Sequence, residues 1–144
     1  MSYLLGIDIG TSGTKTLLID ETGKIISSAT DIYSLSTPKP LWAEQNPEDW
    51  WRATVTTIRS VLLESCVKPD EIKGIGLSGQ MHGAVLLDER SQVIRPSILW
   101  CDQRTGAECG WITQTIGADK VVELTSNPVL TGFTLPKLLW VRDN

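Results

Sequence analysis

The opening of the chain constrains its fold most. An almost wholly apolar run over residues 3–9 stops at Gly10-Thr11-Ser12-Gly13, and a second strand-like run follows over residues 15–20. Two such runs joined by a short glycine-containing turn pair locally as an antiparallel hairpin. Glu21-Thr22-Gly23 is a second turn and residues 24–33 a third strand, so three strands of one sheet are expected before any helix.

Residues 34–45 carry Pro38 and Pro40 and no periodicity, which predicts an extended connection. Asn46-Pro47-Glu48-Asp49 then has the form of a helix start, with a capping side chain, a proline at the first position and two acids at the positive end of the dipole. Trp51, Val55, Ile58 and Leu62 supply one apolar stripe, although the β-branched residues between Thr54 and Ile58 weaken the helix and leave it dependent on packing. Residues 72–78 read as a buried strand after that helix, a β-α-β crossover that demands parallel pairing. The fold class is therefore α/β with a mixed sheet. Further along, residues 84–88 read as a strand, 97–100 as a short apolar segment, and 105–116, 118–124 and 135 onward as helices. The last helix has no closing glycine or proline, as expected of a piece of a longer polypeptide.

Composition removes several functions. Thirteen Lys and Arg against 17 Asp and Glu leave a net charge of −4 with no basic cluster, which disfavours nucleic-acid binding. No apolar run approaches the ~20 residues of a membrane span. Asp8 interrupts the first run and nothing basic precedes it, so it is not read as a signal peptide. Three cysteines without a Cys-x-x-Cys pair point to a reduced, cytoplasmic protein.

Three segments carry candidate chemistry. In Gly6-Ile7-Asp8-Ile9-Gly10-Thr11-Ser12-Gly13-Thr14-Lys15, glycines let a backbone turn approach a phosphate, Thr11, Ser12 and Thr14 add hydroxyls, and Lys15 adds charge. Asp8 beside that loop suits a hydrated Mg²⁺. A plain hairpin turn has the same composition. In Gln80-Met81-His82-Gly83, the single histidine of the chain follows an apolar strand and could meet substrate hydroxyls, or be structural. In Trp100-Cys101-Asp102-Gln103-Arg104, a flat ring beside polar groups suits a sugar, while a helix cap at Asp102 with a core tryptophan is the plain alternative. Trp42, Trp50, Trp51, Trp111 and Trp140 are read as packing residues. Gly74-Ile75-Gly76-Leu77-Ser78-Gly79 has the spacing of a dinucleotide fingerprint but leads to no helix, which argues against NAD. Neither a cysteine nucleophile nor a zinc site has suitable spacing around His82.

Together with Ile98-Leu99-Trp100-Cys101-Asp102-Gln103-Arg104-Thr105, Asn127-Pro128 and Gly132-Phe133-Thr134-Leu135-Pro136-Lys137-Leu138, these segments resemble, in order, the N-terminal part of the FGGY family of carbohydrate kinases. The Gln-Met-His-Gly and Gly-Phe-Thr-x-Pro-Lys-Leu runs resemble its xylulose-phosphorylating members. The resemblance implies a ribonuclease-H-like, actin-like ATPase core. Residues 1–144 would form the N-terminal part of the first kinase domain, with the second domain absent from this chain. It implies ATP and Mg²⁺ as cofactors. Asp8 would support Mg²⁺-ATP, and Gly10, Thr11, Ser12, Gly13, Thr14 and Lys15 would surround the phosphates. Met81, His82 and Trp100 would contact the sugar, with Asp102 and Gln103 shaping the same pocket. The general base and adenosine site would lie elsewhere, so the 144 residues alone should be inactive. The partners expected are D-xylulose and copies of the chain itself, as a self-associating fragment and a full-length homodimer, with neither nucleic acid nor membrane. A kinase for gluconate, ribulose or glycerol, a non-catalytic sugar- or nucleotide-binding module, and an actin- or chaperone-like ATPase are the alternatives.

Overall fold

The computed structural model describes residues 2–144, and the chain divides into two compact units. Among the described residues the first unit comprises 2–35 and 47–80. Its strands β1 (Tyr3–Ile9), β2 (Gly13–Asp20), β3 (Ile25–Ile32) and β5 (Ile72–Gly79) form one sheet in the order β3-β2-β1-β5. The two expected hairpins are present, with β1 antiparallel to β2 and β2 antiparallel to β3. Helix α1 (Pro47–Ser65) then carries the chain from β3 past two strands to β5, which lies parallel to β1. The mixed sheet is as the pattern demanded.

Side-chain alternation fixes the register. Leu5 lies opposite Leu18 and Ile7 opposite Thr16, so these four project from one face, where they are buried. Leu5, Leu18, Val61 and Val67 form the core, flanked by Tyr3, Ala29, Ile58 and Ile72.

Two expectations change here. The buried face of α1 is Ala53, Thr54, Thr57 and Val61; of the expected stripe Ile58 packs on the core, Val55 and Leu62 are half-buried, and Trp51 is 67% exposed. Small side chains let the helix approach the sheet closely. The threonine hydroxyls are satisfied locally: Thr54 donates to the Trp50 carbonyl at 2.7 Å and Thr57 to that of Ala53 at 2.9 Å. Thr57 also meets the Thr16 hydroxyl at 2.7 Å, so burial leaves neither polar atom unpaired. Second, β5 is not a buried strand. It is the sheet edge, α1 packs chiefly on β2 and β3, and Ile75 and Leu77 are 61% and 74% exposed.

The second unit comprises residues 36–46 and 81–144. The two-residue strands β4 (Glu44–Gln45) and β6 (Ser97–Ile98) pair antiparallel, so the connection expected over 34–45 ends in a strand. Helices α2 (Gly106–Ile116), α3 (Ala118–Thr125) and α4 (Thr134–Asp143) follow. Gly117, at φ 93°, separates α2 from α3 in a conformation costly for other residues. The strand expected over 84–88 reduces to single bridges, Ala84 to Ile98 and Leu87 to Val93. The Asp88 carboxylate accepts the Arg90 and Gln92 amides, each at 2.8 Å, and shapes the polar turn expected before Val93. Trp111, read as packing, is 54% exposed.

Leu18 is fully buried between α1 and the neighbouring strands. Leu18→Ala should lower the unfolding free energy by about 2–5 kcal/mol in urea titrations, through lost burial and a residual cavity.

Candidate functional site

The turn between β1 and β2 is braced from several sides. The Gly10 amide donates to the Gly13 carbonyl at 3.0 Å, the Tyr33 hydroxyl donates to the Gly10 carbonyl at 2.5 Å, and the Tyr33 amide reaches the Ser12 carbonyl. Gln80 continues the clamp from the end of β5, its amide on the Ile9 carbonyl at 2.9 Å and its side chain within 3.4 Å of Thr11 and Gly10. Gly13 is required by contact: a Cβ there would lie 2.6 Å from the Asp31 carbonyl oxygen. The turn is therefore a rigid tip with an exposed Ser12.

Asp8 stands at the end of β1, opposite Lys15, and both are exposed. Its carboxylate lies 4.0 Å from the position of a Cβ on Gly10, so it is aimed along the turn. A groove of about 310 Å³ runs beside it, lined by Gly6, Asp8, Lys15, Leu17, Gly76 and Ser78 among others. Gly6 and Gly76 are registered neighbours, which leaves that floor without side chains. Burial pushes the Tyr33 phenol up, and the Asp8 charge adds to the shift. Among the described residues no group of three metal-ligating side chains occurs. A lone carboxylate beside an open groove still fits a hydrated Mg²⁺ that takes its remaining ligands from phosphates and water.

Two details differ from expectation. Thr14 lies within β2 and is fully buried, so the hydroxyls carried by the turn itself are those of Thr11 and Ser12. The Gly10 amide is already engaged, so it is not a free donor for an anion. The glycines of residues 74–79, as expected, lie inside β5 rather than at a strand-to-helix turn.

In the second unit the segment Thr131-Gly132-Phe133 is a hub. Thr131 donates to the Gln103 side-chain oxygen at 2.6 Å, Phe133 meets the His82 ring with centroids 4.8 Å apart, and Gly132 packs so closely on the Trp100 carbonyl that a Cβ would lie 2.6 Å from it. His82 from one stretch and Trp100 and Gln103 from another are thus brought to one segment. His82 is exposed and adopts a left-handed φ of 63°, and Met81 beside it is 71% exposed. Trp100 is 48% exposed, leaving part of its ring open to a ligand. Behind His82 lies a cavity of about 290 Å³ lined by Ile112, Ile116, Val121, Leu124 and Phe133. Its walls are hydrocarbon almost throughout, which suits packing and not a polyol.

Asp102 requires correction. It is fully buried and spends both oxygens inside the protein, one on the Ala43 amide at 2.6 Å and both on the Arg104 guanidinium at 2.7–3.0 Å. It therefore positions its neighbours and does not face a ligand. Burial would raise its pKa, but the Arg104 fork and the Ala43 amide outweigh burial and hold it below the usual carboxylate range. Arg104 also meets Glu44 at 2.7 Å and lies 3.6 Å from the Trp42 ring centroid; Trp42 and Trp140 meet edge to face at 5.3 Å. Packing roles for those two tryptophans agree with expectation.

The motif reading assigned no role to Tyr33, Gln80, Arg104 or Lys137. Lys137 is fully buried and donates to the His82 and Gly132 carbonyls, each at 2.7 Å. A lysine amid Leu135, Pro136, Leu138 and Leu139 was the available signal.

Residues 3–144 match the model of the N-terminal domain of the FGGY family of carbohydrate kinases. The chain is 45% identical over 138 residues to the xylulose kinase of Klebsiella pneumoniae, covering 96% of this chain and 28% of that protein. It is 45% identical over 144 residues to the xylulose kinase of Bacillus subtilis, covering all of this chain and 29% of that one. The crystal structure of xylulose kinase from Rhodospirillum rubrum superposes with a TM-score of 0.93 at 28% identity, over 99% of this chain and 29% of that one. The chain thus spans under a third of the length of the relatives it matches. The superposition gives the mixed sheet the actin-like ATPase fold. No helix among the described residues is long and apolar enough to cross a membrane.

The Asp102 carboxylate stabilises the fold above its unfolded pKa, near 3.8, and that contribution disappears as pH falls through its lower folded value. Asp102→Asn should lose up to about 3 kcal/mol at neutral pH, the lower end for a broken buried pair because Glu44 still faces Arg104. Denaturation midpoints of the two proteins should stay apart down to pH 3.8 and converge below it, as acid removes what the substitution has already removed.

Proposed function

Because the chain belongs to the FGGY family of carbohydrate kinases, we propose that it is the N-terminal part of the first domain of an ATP-dependent xylulose kinase, whose second domain lies outside these residues. The reaction is transfer of the terminal phosphoryl group of ATP to a hydroxyl of D-xylulose, giving ADP and D-xylulose 5-phosphate. What carries the reading is 45% identity to xylulose kinases along the whole chain, joined to a braced glycine turn at Asp8 and an exposed His82–Trp100 cluster.

Each residue has a role that its chemistry suits. The Gly10-Thr11-Ser12-Gly13 turn offers hydroxyls and a close backbone approach to the nucleotide phosphates, and Lys15 adds positive charge beside them. Mg²⁺ bound with ATP would be held at Asp8 and supplies charge neutralisation for the transferred group. His82 and Gln103 offer polar atoms to sugar hydroxyls, Trp100 offers a flat face to their C–H side, and Met81 borders them. In such a reaction these residues position the reactants and leave proton removal from the sugar to a base supplied elsewhere. Three unpaired cysteines suit a reducing cytoplasm.

The protein expressed from its complete reading frame should release ADP with D-xylulose faster than with gluconate, ribulose or glycerol. Faster turnover of one of those sugars would replace the substrate assignment. Asp8→Asn should cut kcat by about a hundredfold or more, and His82→Ala should raise KM for D-xylulose about tenfold. The 144-residue chain alone should show no turnover. The uncovered β5 edge, with Ile75 and Leu77 exposed, should make that chain self-associate, and sedimentation as a clean monomer at high concentration would contradict this.

A further inference from the structure

Lys137 is a buried charge that the proposed reaction does not use. It lies on the first turn of α4 and is fully buried, yet the partners of its ammonium are two carbonyl oxygens, of His82 and Gly132, each at 2.7 Å. Burying a cation on neutral acceptors is costly, and an apolar side chain of similar volume would avoid the cost. Burial accordingly depresses its pKa to about 8; Asp102 and Cys101 partly offset the shift and the Arg104 charge adds to it. The two carbonyls explain why the site holds a lysine. One belongs to His82, whose φ of 63° is a conformation that side-chain-bearing residues rarely adopt without support. The other belongs to Gly132, which packs against the Trp100 carbonyl and precedes Phe133, the ring in contact with His82. One ammonium therefore ties together the turns that carry His82 and Phe133 and abut Trp100.

We propose that Lys137 is a positioning residue: by binding the His82 and Gly132 carbonyls together, it fixes the left-handed turn that presents the His82 imidazole to a sugar hydroxyl. The sugar half of this inference rests on the function proposed above, and the turn half does not. Lys137→Met keeps the volume and removes both hydrogen bonds; Lys137→Gln keeps an N–H donor at shorter reach.

Two measurements separate the halves. His82 is the single histidine of the 144-residue chain, so its imidazole gives one assignable NMR signal. In Lys137→Met that signal should shift and broaden while the remaining spectrum stays native, and an unchanged signal in a folded variant overturns the inference. In the protein from the complete reading frame, Lys137→Met should raise KM for D-xylulose about ten- to a hundredfold and leave KM for ATP within about twofold, with Lys137→Gln in between. Lower thermal stability with both KM values unchanged marks a purely structural lysine and overturns it too. If Lys137→Met does not fold, Lys137→Gln carries both readouts. If the unsubstituted protein does not phosphorylate D-xylulose, the proposed function falls together with the sugar half, while the imidazole signal still decides whether Lys137 holds the turn.

Discussion

The second unit depends on the guanidinium of Arg104. That unit has two strands of two residues and short helices, so backbone ladders alone do not define it. Arg104 joins Asp102, Glu44 and the Trp42 ring in a water-poor setting, with side-chain exposures of 1% for Arg104 and 0% for Asp102. The fork geometry of arginine satisfies two carboxylates and a ring face at once, which a lysine could not do. Asp102 in turn takes the Ala43 amide, anchoring the segment that leads into β4. Gln103 follows Asp102 directly and Trp100 lies two residues before it, so burial of Asp102 restricts where both can stand.

The first unit achieves rigidity by different means. Its turn between β1 and β2 is fixed by backbone contact, through Gly13 against Asp31, and by the Tyr33 and Gln80 clamps. A tip held in this way has little conformational freedom to lose when an anion binds, which favours affinity without further contacts. The engaged Gly10 amide belongs to the same bracing. The turn exchanges one free donor for a defined shape.

Features whose cause is local were legible in the chain. The hairpins follow from apolar runs broken by Gly10 to Gly13 and by Gly23, and the start of α1 from Asn46-Pro47-Glu48-Asp49. Features decided by distant partners were not. Which face of α1 is buried depends on the close approach of β2, where Thr16 meets Thr57, and the usual count of bulky side chains points to a stripe that is only partly buried. The exposure of β5 depends on sheet order, which no single strand contains. Among the candidate residues of the two units, Asp8, His82 and Trp100 stood out because glycines or polar neighbours surround them. Asp102 stood out for the same reason and proved internal, because its motif neighbour Arg104 is its partner. Thr14 was one residue too far into β2 to remain at the surface.

Lys137 shows most clearly what a pattern conceals. On a helical wheel a lysine reads as solvent-facing, and the reason for the burial of this one lies in the His82 and Gly132 carbonyls within reach of its ammonium. Desolvating an ammonium opposes folding and burying hydrocarbon does not, so the charge itself costs stability. An apolar replacement, however, leaves two buried carbonyls without donors and gives a strained histidine nothing to hold it. The ammonium is thus useful because it is over-determined: a single point charge with several donors can hold two backbone turns that no side-chain packing would align. The energetic disadvantage of the buried charge and the precision of the His82 turn are two aspects of one arrangement.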